Sequence, residues 1–141
     1  MASDYYFENF ASTFPNSDLK EDAEFMAAYS NYEMSPIYRL DQTFTEKAIE
    51  DLQIFVNLYP NSERVAEANK LIDQMRLKLE KKSFEEGNLY FDLRQYQAAT
   101  TVYENLLKDF PETTRGKQIR SKMVRAAYNL ADNSIYTKKT E

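Results

Sequence analysis

The chain has no cysteine, no histidine and no tryptophan among its 141 residues, and only two glycines and four prolines. Without cysteine, disulfides, thiolate metal sites and lipid attachment through a cysteine are excluded. Without histidine as well, the common general base and the common zinc ligands are missing, and no glycine-rich phosphate loop is present. There is neither a charged-then-apolar leader nor a long apolar run, so the chain reads as soluble, with no direct membrane insertion. Basic charge is also scarce. The formal net charge of -5 argues against a nucleic-acid footprint, which needs a basic surface. Residues 1–60 hold three basic side chains, Lys20, Arg39 and Lys47, against eleven acidic ones, so one end is acidic and the other mildly basic. That imbalance fits either a solvated surface or electrostatic steering of partners.

The remaining carboxylates do not assemble a reaction centre. Glu85 and Glu86 are adjacent, and neighbouring helical residues diverge by about 100°, too far apart to serve one substrate as acid and base. Asp41 and the group Glu21, Asp22 and Glu24 lack the alternating spacing of a calcium loop and read as first-turn charges favouring a helix N-terminus. The expectation is a non-catalytic chain with no cofactor and no metal.

What is present is a repeated corner. Phe14-Pro15-Asn16-Ser17, Tyr59-Pro60-Asn61-Ser62 and Phe110-Pro111-Glu112-Thr113 each follow an amphipathic run. Proline cannot continue the helix that the aromatic residue closes, and the Asn, Ser or Thr that follow can accept from the free N–H groups of the next helix. Ala23, Ala68 and Ile119 fall eight residues after these prolines, and Ala27, Ile72 and Met123 twelve after. Self-similarity on this scale predicts an all-α solenoid of about six helices in antiparallel pairs.

The spacing places a partial repeat at 4–14 and a repeat at 19–59 with an inserted loop at 35–44. A region at 62–110 with a long first helix follows, then one helix at 113–131 and a frayed tail at 132–141, all within a single domain spanning 1–141. Thr43 and Glu46 have capping-box spacing at the start of the third helix. The apolar stripe of the long helix changes phase near Lys81-Lys82-Ser83, so its two halves pack on different neighbours.

Gly87, Tyr90, Ala99, Tyr103 and Pro111 match the Gly, Tyr, Ala, Phe/Tyr and Pro positions of a tetratricopeptide repeat, and Ala48, Leu52 and Pro60 repeat its second half. Glycine and alanine are small where two helices approach, and the tyrosines fill space beside them. With Met34-Ser35-Pro36-Ile37-Tyr38-Arg39-Leu40-Asp41-Gln42-Thr43, Phe55-Val56-Asn57-Leu58-Tyr59-Pro60-Asn61-Ser62 and Ala126-Ala127-Tyr128-Asn129-Leu130-Ala131, these positions make the chain resemble the BamD family of outer-membrane protein assembly factors, particularly Bacteroidota-type sequences.

The resemblance covers nearly the whole chain. It implies a scaffold on the periplasmic face of the outer membrane that binds the last POTRA domain of BamA and unfolded outer-membrane protein substrates. The chain departs from the family in lacking the lipid-bearing cysteine, the first helix of its first repeat and a C-terminal repeat. Glu24, Glu33 and Lys122 also stand where neighbours would have packed, so a truncated soluble fragment is expected. An engineered tetratricopeptide scaffold with no retained binding is the alternative.

Eleven tyrosines and nine phenylalanines suit variable peptide partners, because tyrosine presents a large apolar body with a polar tip. Tyr29, Tyr32 and Phe91 lie on first helices, off the main stripe, and are candidate contacts; otherwise they are core. Asn88 takes a repeat position that often contacts peptide backbone. Arg39 sits in the linker that carries the likeness. Arg115, Lys122 and Arg125 line one margin of the last apolar stripe, Ile119, Met123, Ala126, Ala127 and Leu130, where they either pair with an acidic partner or solubilise the end.

Overall fold

A computed structural model describes residues 18–140, with side chains described from Leu19 to Asn133. Among the described residues there are five helices and no strand: α1 Asp18–Glu33, α2 Thr43–Leu58, α3 Val65–Asp92, α4 Tyr96–Asp109 and α5 Gly116–Thr140. The fold is all-α and tetratricopeptide-like. The segment 4–14 and the corner Phe14-Pro15-Asn16-Ser17 lie outside the described residues. The chain divides into two compact units, Met1–Leu79 and Glu80–Glu141, and the boundary falls within α3, close to the expected change of phase.

In the first unit α1, α2 and the first half of α3 share one core. Its centre is Phe25, Ala28, Ala48, Leu52, Phe55, Ala68, Leu71, Ile72 and Met75, with Tyr29, Tyr32 and Tyr59 packed around it. On α2 the buried positions are Thr45, Ala48, Leu52 and Phe55, so one stripe at helical spacing faces inward. Complete burial of a side chain such as Leu52 or Phe55 contributes about 1.5–3 kcal/mol.

Pro36 keeps the chain extended after α1, and the linker runs to Gln42, with α2 beginning at Thr43. The anticipated capping box gives way to a different arrangement. The Thr43 N–H donates to Asp41 Oδ1 at 3.0 Å, and the Gln42 side chain turns away to the loop. The short Asp41 side chain reaches that orphan N–H without the helix having to recruit Glu46.

In the second unit the later part of α3, α4 and α5 enclose Phe84, Ala99, Tyr103, Leu106, Phe110, Ile119 and Ala126. The turn between α3 and α4 is closed by Gln95 N–H to Tyr90 O at 2.9 Å and Arg94 N–H to Phe91 O at 3.0 Å, with Arg94 in the left-handed region at φ 62. The last helix does not stop at Ala131 but continues to Thr140. No glycine or proline interrupts the sequence after Gly116, so nothing in the chain breaks it. Of the stripe expected on it, Ile119 and Ala126 are buried and Met123 is half-buried, whereas Ala127 and Leu130 are exposed.

Candidate functional site

The two described corners use the same clamp. After Pro60, the Ser62 hydroxyl accepts from the Arg64 N–H at 3.2 Å and donates to Glu21. Arg64 Nε lies 3.1 Å from Asp22 Oδ1, with its guanidinium 4.7 Å from the centre of the Phe25 ring. After Pro111, Thr113 accepts from the Arg115 N–H at 3.1 Å and donates to Glu80 Oε1 at 2.6 Å. Arg115 Nε lies 3.7 Å from the same carboxylate oxygen, with its guanidinium 4.6 Å from the Phe84 ring. In both corners an arginine four residues beyond the proline stacks on an aromatic residue that follows by four the carboxylate bound by the corner hydroxyl, and the arginine pairs with that carboxylate (Glu80) or with its neighbour (Asp22). That geometry joins a charge-assisted contact to a cation–π contact. The spacing was present in the sequence, but a pattern linking three separate elements has no local signature.

Arg115 is therefore part of a corner. Beside it, Asn88, Phe91 and Lys122, each picked out on its own in the sequence, come together. Lys122 Nζ donates to Asn88 Oδ1 at 2.7 Å, and the Tyr103 hydroxyl donates to the same oxygen at 2.6 Å. The ammonium lies 5.4 Å from the centre of the Phe91 ring and 5.9 Å from that of Phe84. Phe91 in turn meets Tyr96 edge to face at 5.5 Å. Lys122 is thus held against the second half of α3 instead of standing as a bare charge in place of a missing neighbour.

Both donors into Asn88 enter through its carbonyl oxygen. Among the described residues its amide N–H groups have no acceptor, and Lys122 has no carboxylate within ion-pair distance. The arrangement offers one ammonium and two amide donors beside two aromatic rings. That suits a carboxylate or peptide carbonyl approaching from outside. Tyr103 is fully buried, and burial, with Asp92 and Glu85 nearby, pushes its phenol up to about 12. It stays neutral and serves as a donor that fixes Asn88. Arg125 is exposed one turn beyond Lys122 and makes no ion pair among the described residues.

The first-unit candidates are placed differently. Tyr29 and Tyr32 are half-buried against the core with rings 5.4 Å apart, and the Tyr32 hydroxyl donates to Gln74 Oε1 at 3.3 Å. Arg39 is exposed on the α1–α2 loop, its guanidinium 5.6 Å from the Tyr38 ring. In the same unit a cleft of about 160 Å³ is lined by Glu24, Ala27, Ala28, Asp51, Ile54, Phe55 and Leu58. Burial first, then the Glu24 and Glu21 carboxylates, push the nearby Tyr59 phenol up to about 12. Among the described residues no helix is long and apolar enough to cross a membrane.

The search among curated proteins finds no match. The family described as YfiO, outer membrane lipoprotein, does match, over residues 2–141. That span is nearly the entire chain, so the chain belongs to the YfiO family of BamD-like outer membrane lipoproteins.

Proposed function

We propose that this chain is a Bacteroidota-type, BamD-like scaffold that works without catalysis on the periplasmic face of the outer membrane, and that the Asn88, Phe91 and Lys122 face receives an acidic segment of a partner protein. The observation that carries the reading is the ammonium of Lys122, fixed by Asn88 and two rings with no carboxylate of its own among the described residues. Arg125, one turn on along α5, extends the same cationic margin. The partner is the last POTRA domain of BamA, with unfolded outer-membrane proteins as the substrates handed on. Family membership and the earlier resemblance support both assignments.

The test is a titration of the immobilised periplasmic region of BamA with the chain and with Lys122→Glu/Arg125→Glu. Desolvated charge pairs are worth about 2–5 kcal/mol and exposed ones under about 1, so affinity should fall by tenfold or more while the helical circular dichroism is kept. Unchanged affinity would place the contact elsewhere. Absence of binding by the unmodified chain would favour a scaffold without retained native binding.

A further inference from the structure

The α1–α2 loop directs its hydrogen bonds inward and its apolar side chains outward. Gln42 is buried, and its Nε2 donates to Ile37 O at 2.7 Å and to Leu40 O at 2.9 Å. Thr45, fully buried, donates to Gln42 Oε1 at 2.7 Å and shares a hydrogen bond with Ser35, and Lys78 Nζ donates to the Ser35 hydroxyl at 2.7 Å. The Leu40 N–H returns to Ile37 O at 3.1 Å, closing the turn. Burial holds the Lys78 amine below its ordinary value, as expected for an ammonium drawn into this network. Yet Ile37 is 65% exposed and Leu40 56%, with Met34 exposed beside them. Two buried polar side chains, the half-buried Ser35 and a lysine thus hold in place a tip whose largest apolar groups touch water.

We propose that this tip enters the lipid surface on which the protein is carried, and that Ile37 and Leu40 are the residues that insert. The proposal rests on the outer-membrane location given above. Backbone carbonyls can approach hydrocarbon only when they are already satisfied, and here the side chain of Gln42 satisfies the carbonyls of Ile37 and Leu40 themselves. Tyr38 and Arg39, stacked on each other between Ile37 and Leu40, supply the amphipathic groups that settle at headgroup level. Charge at the tip is also suitable. Glu33, Asp41 and Glu46 are balanced by Arg39, Lys47 and the incoming Lys78, whereas the first sixty residues as a whole are strongly acidic. A neutral patch within an acidic surface can approach phospholipid without repulsion. Two side chains give only weak insertion on their own, so the contact orients a protein that is held at that surface by other means.

Because the chain has no tryptophan, one introduced indole reports on its own surroundings. The full chain carrying Ile37→Trp is tethered by an N-terminal hexahistidine tag to phosphatidylethanolamine vesicles containing a nickel-chelating lipid. Leu58→Trp, at an exposed apolar position on α2, is the matched control. Emission from Ile37→Trp should move to shorter wavelength on tethering and be quenched by brominated acyl chains, while Leu58→Trp shows neither. Adding Gln42→Ala should reduce the quenching, because the loop carbonyls then face lipid unsatisfied.

Equal behaviour of the two tryptophans, or no quenching of either, overturns the proposal. So does a spectral shift of Ile37→Trp that appears only on adding the BamA periplasmic region and without quenching, which would make the tip a protein-docking loop. Since the tether supplies the attachment to the vesicle, a negative result condemns the insertion and leaves the family's location untouched.

Discussion

Gly87→Ala sets two well-measured effects against each other and so tests the register of the helix pair by sign. Gly87 lies inside α3 and has no positive φ, so backbone freedom does not explain the glycine. In an open helix interior the change to alanine would stabilise the protein by about 0.8–1 kcal/mol. Here the added Cβ would stand 2.5 Å from Tyr103 Cε1 and 2.8 Å from Cδ1, whereas ordinary contact begins near 3.4 Å. The ring cannot easily withdraw, because it is fully buried and its hydroxyl is fixed to Asn88 at 2.6 Å. Forced overpacking costs about 1–3 kcal/mol, and with a clash of this depth against an anchored ring the upper half of that range applies. A net loss of about 1–2 kcal/mol remains after the gain in helix propensity. Urea unfolding followed by far-ultraviolet circular dichroism would measure it. The decisive control is the same change in a Tyr103→Leu background. With the ring removed, Gly87→Ala should become stabilising, giving a coupling within the range of about 0.5–3 kcal/mol seen for residues in contact. Stabilisation in the unaltered protein, or an effect that ignores Tyr103, would refute the packing argument.

Arg94→Gly should stabilise the chain by about 1 kcal/mol, because a side chain at left-handed φ carries a cost of about 1–2 kcal/mol that glycine avoids; a raised urea midpoint with unchanged slope would bear this out, and a lowered one would mean the arginine makes contacts that outweigh its strain. Stability should also fall steeply at alkaline pH. The Tyr103 phenol sits at about 12 when folded against 10.0 for the free group, so its contribution is complete below pH 10 and is lost as pH rises through 12. Tyr103→Phe should flatten that decline, and an identical pH profile for the two proteins would show that other groups govern it.

The sequence exposed the helices and their corners well because each depends on neighbours close in the chain. Proline after an aromatic residue ends a helix wherever it occurs, and Ser62 and Thr113 cap the following turn by reaching two residues ahead. Gly87 was legible for a related reason, since a small residue in repeat register with Tyr103 marks the close approach that the ring makes to it. The end of α5 was not. An end must be inferred from a breaker, and the polar run after Ala131 contains none. The capping of α2 was misread because both Asp41 and Thr43 could have supplied the oxygen, and the choice fell to Gln42 turning into the loop. Among the candidate contacts, Asn88, Phe91 and Lys122 could be named singly but not joined, because their meeting depends on how α5 is laid against α3. Only a tertiary structure sets that.

Arg115 shows why the distinction matters for function. By composition it belongs with Lys122 and Arg125 as one basic margin of the last helix, and reversing its charge would be the natural way to test partner binding. Its counterpart, though, is Arg64, which holds the earlier corner against Asp22 and Phe25 in the same fashion. A glutamate at 115 would face Glu80, a carboxylate only 5% exposed, and leave it facing a like charge in place of its cation. The pair is half-buried, with Arg115 33% exposed, so breaking it costs less than the roughly 3–5 kcal/mol of a fully buried pair, but still enough to compete with the loss expected at an interface. Any weakening of partner binding by such a variant would therefore report on the fold of the corner as much as on the contact. Lys122 and Arg125 carry the test instead. Lys122 gives up only a neutral carbonyl and two ring faces within the chain, and Arg125 gives up no ion pair among the described residues. A loss of affinity on reversing those two charges, with the helical signal intact, can be assigned to the partner.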